Sequence, residues 1–241
     1  MRILPLPTFT TRLFLPLLLL VSGATTARAA LDPTEEAIRE AVAKGNGAAL
    51  ELLEEAVNIN SGTMHHAGVE AVGALFADAF SAAGFRTTWV PGAAFDRGGH
   101  LIAEYGERGP KVLLIGHLDT VFPRESDFQR FERIDEHHAA GPGITDMKGG
   151  NVIILYAARA LAAAGVLDEL QLQVVLTGDE ENRGAPMDIA NAALHAAADW
   201  ADIALGFEDG DSDPATAVTA RRSSSGWQLR VRGRPAHSSQ I

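Results

Sequence analysis

The chain has 241 residues, no cysteine and a formal charge of −11, from 20 Lys+Arg against 31 Asp+Glu. Thiolate metal sites, iron–sulfur clusters, thiol catalysis and disulfide scaffolds are thereby excluded. The acidic balance argues against nucleic acid as a partner, and 46% hydrophobic with 21% charged residues is ordinary globular material.

The first segment reads as an export address. Arg2 and Arg12 precede the apolar run Leu13 to Val21, and small residues end in Ala27-Arg28-Ala29. A positive start, a short apolar stretch and an A-x-A site define a secretory signal peptide over residues 1–29. Cleavage there removes three arginines and no acid, taking the charge from −11 to −14. The expected location is periplasmic or secreted, with no stable membrane insertion after cleavage.

Next come helical patterns at Thr34 to Lys44, Ala48 to Val57 and Ala67 to Ala83, the last stopping at Gly84. Thr87 to Val90 and Leu101 to Tyr105 read as strands. Val112 to Ile115 has no polar interruption, as in a strand buried on both faces. Asp146 to Ala164 opens with a polar turn and continues as a buried helix. Leu172 to Leu176 is a second core strand, Met187 to Trp200 a helix, and Ile203 to Phe207 a third core strand. Strands alternating with helices predict an α/β domain with a largely parallel central sheet flanked by helices. Past Asp213-Pro214 the texture changes, with strands expected at Ala217 to Thr219 and Trp227 to Val231. The predicted organisation is a signal peptide (1–29), a catalytic domain (30–213) and the start of a small α+β lid (214–241).

The polar groups fall where such a sheet would use them. Val112–Ile115 runs into His117 and Asp119, Leu172–Leu176 into Asp179, Glu180 and Glu181, and Ile203–Phe207 into Glu208. Ligands of open α/β sheets bind outside the carboxyl ends of the strands. Asp146 adds a fourth candidate, in the turn before the buried helix. Taken singly, each has a plain alternative: a strand-end histidine, a turn cap, a solvated acidic loop, a helix N-cap. Together they offer one imidazole and several carboxylates, a donor set suited to zinc, manganese or cobalt. Adjacent Glu180 and Glu181 can divide metal binding from proton transfer, and Asp119 can hold the His117 tautomer.

Four stretches in register then resemble a known family. They are Gly116-His117-Leu118-Asp119-Thr120-Val121, Gly141-Pro142-Gly143-Ile144-Thr145-Asp146-Met147-Lys148-Gly149-Gly150, Thr177-Gly178-Asp179-Glu180-Glu181 and Gly206-Phe207-Glu208. The family is the dizinc metallopeptidases that include glutamate carboxypeptidases, aminoacylases, acetylornithine deacetylases and succinyl-diaminopimelate desuccinylases. The likeness runs from about residue 34 onward and leans toward the secreted bacterial glutamate carboxypeptidases.

The resemblance implies a site with two Zn2+ ions, for which Co2+ or Mn2+ could substitute. His117 and Glu208 would bind one, Glu181 the other, and Asp146 would bridge them, followed by a cis bond to Met147. Glu180 would be the general base and Asp119 would orient His117. His237, in Gly233-Arg234-Pro235-Ala236-His237-Ser238, would serve the oxyanion from the lid. The implied activity is a zinc-dependent carboxypeptidase releasing a C-terminal amino acid, glutamate being a candidate, from peptides or N-acyl amino acids. The implied assembly is a homodimer through the lid.

Family members continue past the point where this chain ends, into segments that carry a last zinc-binding histidine and a substrate-gripping basic residue. The expectation is a C-terminally truncated sequence, inactive alone. Two further readings are an aminoacylase or deacylase on the same metals and an exported, non-catalytic binding module.

Overall fold

The computed structural model describes residues 30–208, 210, 216–220 and 227–233. The expected signal peptide and His237 lie outside the described residues.

Helix α1 (Pro33–Asn58) starts from Asp32, whose carboxylate accepts from the Thr34 and Glu35 amides, both at 2.8 Å. The Glu35 carboxylate accepts in return from the Asp32 amide at 2.8 Å, completing a capping box. Two helices were expected here, separated around Gly45 and Gly47; one continuous helix forms. A Cβ on Gly45 would stand 3.1 Å from the Tyr156 ring. Close packing on that neighbouring helix carries α1 through Gly45, whose intrinsic propensity marks a break. Helix α2 (His66–Ala82) buries Val69, Val72, Phe76 and Phe80 along one stripe. It stops before Gly84, whose φ of +89° suits glycine.

The strands are β1 (Arg86–Pro91), β2 (Gly99–Tyr105), β3 (Lys111–His117), the short hairpin β4 (Glu132–Arg133) with β5 (Ala139–Ala140), β6 (Gln171–Thr177) and β7 (Ile203–Gly206). The main sheet has the order β1-β2-β6-β3-β7. The β6–β3 and β3–β7 pairs are parallel, and β2 alone runs against the other four. This is the α/β sheet expected. Alternation along β6 separates two cores. Leu172, Val174 and Leu176 pack with Phe76, Phe80, Ile154 and Leu155 under the first three helices. Val175 joins Leu113 and Ala197 on the opposite face.

Three local expectations change. The buried helix α3 (Gly149–Ala163) begins three residues after Asp146. Residues 144–148 form an irregular turn in which Asp146 has φ −116° and ψ 94°, and the Asp146–Met147 bond is cis. Asp146 is therefore no helix cap, because its carboxylate turns toward His117 instead.

The helix expected over Met187 to Trp200 divides into α4 (Met187–Ala190) and α5 (Ala192–Trp200). The Ala190 carbonyl at the break accepts from His100 Nε2 at 2.9 Å, and a side chain entering the backbone ladder is a sufficient cause of such a break. Strand β7, expected in the core, is exposed: Ile203 and Leu205 keep 52% and 46% of their surface. It pairs only with β3, so among the described residues it is an edge.

Residues 216–220 and 227–233 carry no strand, and Val218, Trp227, Leu229 and Val231 are exposed. The strands expected there have no pairing partner among the described residues, and an unpaired strand leaves its N–H and C=O groups unmatched.

Candidate metal centre

Parallel pairing places three strand ends on one rim. His117 is level with Thr177 of β6, and Ile115 is level with Gly206 of β7. The residues that follow each strand therefore leave the sheet side by side. The turn before α3 adds Asp146 from below in the chain order.

His117 is the centre of this rim and is buried. Its Nδ1 lies 2.9 Å from the Asp119 backbone carbonyl. A carbonyl only accepts, so Nδ1 carries a proton and the neutral ring presents the Nε2 lone pair. Nε2 faces Asp146 Oδ1 at 2.9 Å and Glu208 Oε1 at 3.5 Å. One donor atom from each of His117, Asp146 and Glu208 lies within 4.8 Å of the other two. One imidazole nitrogen facing two carboxylates is the donor set of a divalent cation site, and it fits such an ion without any sulfur ligand.

Asp119 is fully buried beside His117. Its carboxylate accepts from the Thr63 hydroxyl at 2.7 Å, the Glu180 amide at 3.0 Å and the Glu181 amide at 3.1 Å. Its nearer carboxylate oxygen is 3.4 Å from His117 Nδ1, farther than its own carbonyl. Asp119 thus touches His117 mainly through its backbone, while its side chain seats the loop carrying the two glutamates. The sequence suggested that the Asp119 carboxylate holds the His117 tautomer, whereas the nearer acceptor is the backbone carbonyl; the seating of the glutamate loop was not foreseen.

Glu181 borders the same hollow as Asp146. Glu180 accepts from Arg183 Nη2 at 3.3 Å. The loop is held from behind as well. The Gly178 amide donates to His100 Nδ1 at 3.1 Å, and Gly184 donates to buried Asp179 at 2.9 Å. Arg97 donates to the Asn182 carbonyl at 2.7 Å and the Arg183 carbonyl at 2.8 Å. Arg97 and His100 lie far away in sequence, and nothing local in the chain marks them.

Two more residues were not singled out. Asn151 Nδ2 donates to the His117 carbonyl at 2.6 Å. Lys148 is buried, with Nζ donating to the Ala56 and Ile59 carbonyls at 2.9 and 2.8 Å. Burial lowers its pKa to about 7. The Lys148 bonds tie the Asp146 turn to the C-terminal end of α1.

The electrostatics are those of crowded carboxylates. Burial pushes the Glu181 pKa up, and the negative charges of Asp146, Asp119 and Glu180 add to this against His117, bringing it to about 7. Glu208 is raised by burial and by Asp146 and Glu180, with His117 opposing. Burial alone would lower His117, but Asp119, Glu208 and Asp146 outweigh it and raise it to about 9. Burial would raise Asp119, yet His117, Thr63 and the Glu181 amide hold it below the ordinary carboxylate range. A bound cation would relieve this repulsion.

The profile of the peptidase family M20/M25/M40 matches residues 113–220, a span that holds His117, Asp146, Glu180, Glu181 and Glu208. The chain is 29% identical over 192 residues to carboxypeptidase G2 of Pseudomonas sp. (strain RS-16), covering 79% of this chain and 46% of that protein. It is 30% identical over 171 residues to acetylornithine deacetylase of Pasteurella multocida (strain Pm70), covering 68% of this chain and 42% of that one. The chain thus spans less than half the length of these relatives.

Among solved structures, human carnosine dipeptidase 1 superposes with a TM-score of 0.60 at 17% identity, over 71% of this chain and 40% of that one. An M20 family metallo-carboxypeptidase of Sulfolobus solfataricus gives 0.50 at 17% identity, over 67% of this chain and 37% of that one. These two show the shared fold. The chain carries a peptidase M20 domain, and its relatives in the M20/M25/M40 family, carboxypeptidases and deacylases among them, are metal-dependent hydrolases of peptide or amide bonds.

Proposed function

We propose that the whole protein is a zinc-dependent exopeptidase that removes a C-terminal amino acid, glutamate being the first candidate, from peptides or N-acyl amino acids. The observation that carries this reading is the meeting of His117, Asp146 and Glu208 donors within 4.8 Å at the carboxyl rim of the sheet. In this reading His117, Asp146, Glu181 and Glu208 would hold the two zinc ions. When bound, the ions polarise the scissile carbonyl and bring the pKa of water toward neutrality.

The chain's own groups do the rest. The Asp119 carbonyl keeps the proton on His117 Nδ1, so Nε2 stays a lone-pair donor. The Asp119 carboxylate fixes the backbone of Glu180 and Glu181. Glu180, kept outside the ligand set, takes a proton from the attacking water and returns it to the departing amine. His237 donates a hydrogen bond to the oxyanion of the tetrahedral intermediate. The same reading makes the protein exported and dimeric through its lid.

The test uses the full-length protein, assayed for zinc content and for hydrolysis of N-acyl-glutamates. Glu180→Gln should keep its zinc and lose about 10²–10⁴-fold in kcat. Undiminished turnover in that variant would reject the role of Glu180, and turnover unaffected by chelators would reject the metal-dependent reading. The similarity to a deacetylase supports a second reading, an N-acyl amino acid deacylase. Peptides and simple N-acyl derivatives of the same C-terminal amino acid separate the two, since a carboxypeptidase cleaves the peptides and a deacylase only the N-acyl compounds.

A further inference from the structure

Strand β6 ends at Thr177, and the loop that carries Glu180 and Glu181 starts at the buried Gly178. Pairing between β2 and β6 stops at Leu101 opposite Leu176, so the Gly178 amide lies beyond the ladder. A buried N–H without an acceptor is costly. His100 supplies the acceptor from its side chain, with Nδ1 at 3.1 Å. A Cβ on Gly178 would stand 2.2 Å from the Gly99 oxygen and 2.6 Å from Val69 Cγ1, so the loop starts in full contact with β2 and α2.

The His100 ring is fixed in its plane. It is buried and stacks on Phe95, with centroids 4.7 Å apart and planes at 19°. Its partners set the tautomer. An N–H donates to Nδ1, so Nδ1 holds the lone pair, and Nε2 carries the proton shared with the Ala190 carbonyl at 2.9 Å. This is the reverse of His117, whose Nδ1 is the protonated nitrogen. The two nitrogens of His100 thus serve separate structures, Nδ1 the acidic loop and Nε2 the join of α4 and α5.

The same segment holds the far end of the loop, where the Phe95 carbonyl accepts from the Ala185 amide at 3.0 Å. Between these ends the Asp119 carboxylate holds the Glu180 and Glu181 amides. Gly178 stands two residues before Glu180. A loop start that drifts therefore swings both glutamates relative to His117.

We infer that His100 is a positioning residue for the acidic loop. Its Nδ1 lone pair, by holding the Gly178 amide, sets where Glu180 and Glu181 stand, whereas its Nε2 proton serves the helix join alone. The consequence for catalysis rests on the amide-hydrolase reading above.

The test compares two substitutions in the full-length protein. Asparagine carries an acceptor oxygen at the place of Nδ1, and glutamine a donor nitrogen at the place of Nε2. His100→Asn therefore keeps the Gly178 bond and gives up Ala190, and His100→Gln does the reverse. Each loses one buried hydrogen bond, so a role in stability alone predicts equal effects. The readouts are amide hydrogen exchange of the metal-free protein, zinc affinity by chelator competition, and hydrolysis of N-acyl-glutamates. His100→Gln should speed exchange over residues 178–184 about tenfold and weaken zinc binding about tenfold. It should lower kcat about 10–100-fold with a smaller change in KM. His100→Asn should restore most of each and speed exchange at the α4–α5 join instead.

Equal losses in the two variants, or the larger loss in His100→Asn, overturn the assignment. Faster loop exchange in His100→Gln with unaltered zinc affinity and kcat also overturns it. If the wild-type protein hydrolyses no N-acyl-glutamate while exchange and zinc affinity divide between the variants as expected, the positioning role stands and the glutamate hydrolase reading falls. Phe95→Leu leaves both hydrogen bonds of His100 in reach but frees the ring plane, which covers the case of an amide variant that does not fold. It should speed exchange over residues 178–184 by a smaller factor, and unchanged exchange there overturns the assignment.

Discussion

Replacing Asp119 by asparagine probes how far one buried carboxylate organises the metal rim. One oxygen accepts from the Glu180 amide, and the other from the Glu181 amide and the Thr63 hydroxyl. Asparagine has one oxygen and one NH₂ group. With its oxygen toward Thr63 and Glu181, the NH₂ meets the Glu180 N–H, donor against donor. In the opposite rotamer the NH₂ meets the Glu181 N–H, while the Thr63 hydroxyl can turn to accept from it. Either way one buried amide is left unpaired, a loss of about 1–3 kcal/mol. Because the displaced backbone carries Glu180 and Glu181, metal affinity should also fall, by about 10–100-fold.

Urea denaturation of chelator-treated wild-type and Asp119→Asn proteins measures the first quantity, and competition titration with a chromogenic chelator the second. Acid adds a third readout. A carboxylate held below its ordinary pKa contributes stability that is present at neutral pH and lost as pH falls through about 3.9 and below. The variant should lack that part of the acid-induced loss. A stability change under about 0.5 kcal/mol, within the range of ordinary surface substitutions, together with unaltered metal affinity would refute the assigned role.

Three other outcomes are expected. In the metal-free protein His117 titrates at about 9 and Glu181 at about 7; both must lose protons to bind metal, so binding at pH 7.5 should release about one proton and weaken as pH falls below 9. Calorimetry in buffers of different ionisation enthalpy reads this directly, and a buffer-independent heat would contradict it. Gly116→Ala should cost about 1–3 kcal/mol in denaturant unfolding, since a Cβ there would stand 2.2 Å from Asn151 Oδ1 and 2.8 Å from Met147 Cε; a fully stable variant would show that these side chains can move aside. Arg97→Met removes the bonds to the Asn182 and Arg183 carbonyls. It should lower kcat more than it raises KM and speed amide hydrogen exchange over residues 179–184, and unchanged exchange there would count against the brace.

Much of this protein could be read along the chain because its signals are local. Apolar runs without interruption marked β3 and β6, the helical stripe of Val69, Val72, Phe76 and Phe80 marked α2, and the rim residues follow their strands directly. Those patterns depend only on which residues are apolar and at what period. Tertiary structure decided the rest. Packing against Tyr156 carries α1 through Gly45, His100 interrupts the last helical segment at Ala190, and β7 lies at an edge among the described residues although its composition suits a core. The contacts that seat the acidic loop join residues 61 to 86 positions apart, from Asp119 to Glu180 and from Arg97 to Arg183. No local pattern encodes such partners. Burial makes each unpaired donor and acceptor costly, and the fold satisfies that constraint by bringing distant segments together at the mouth of the sheet.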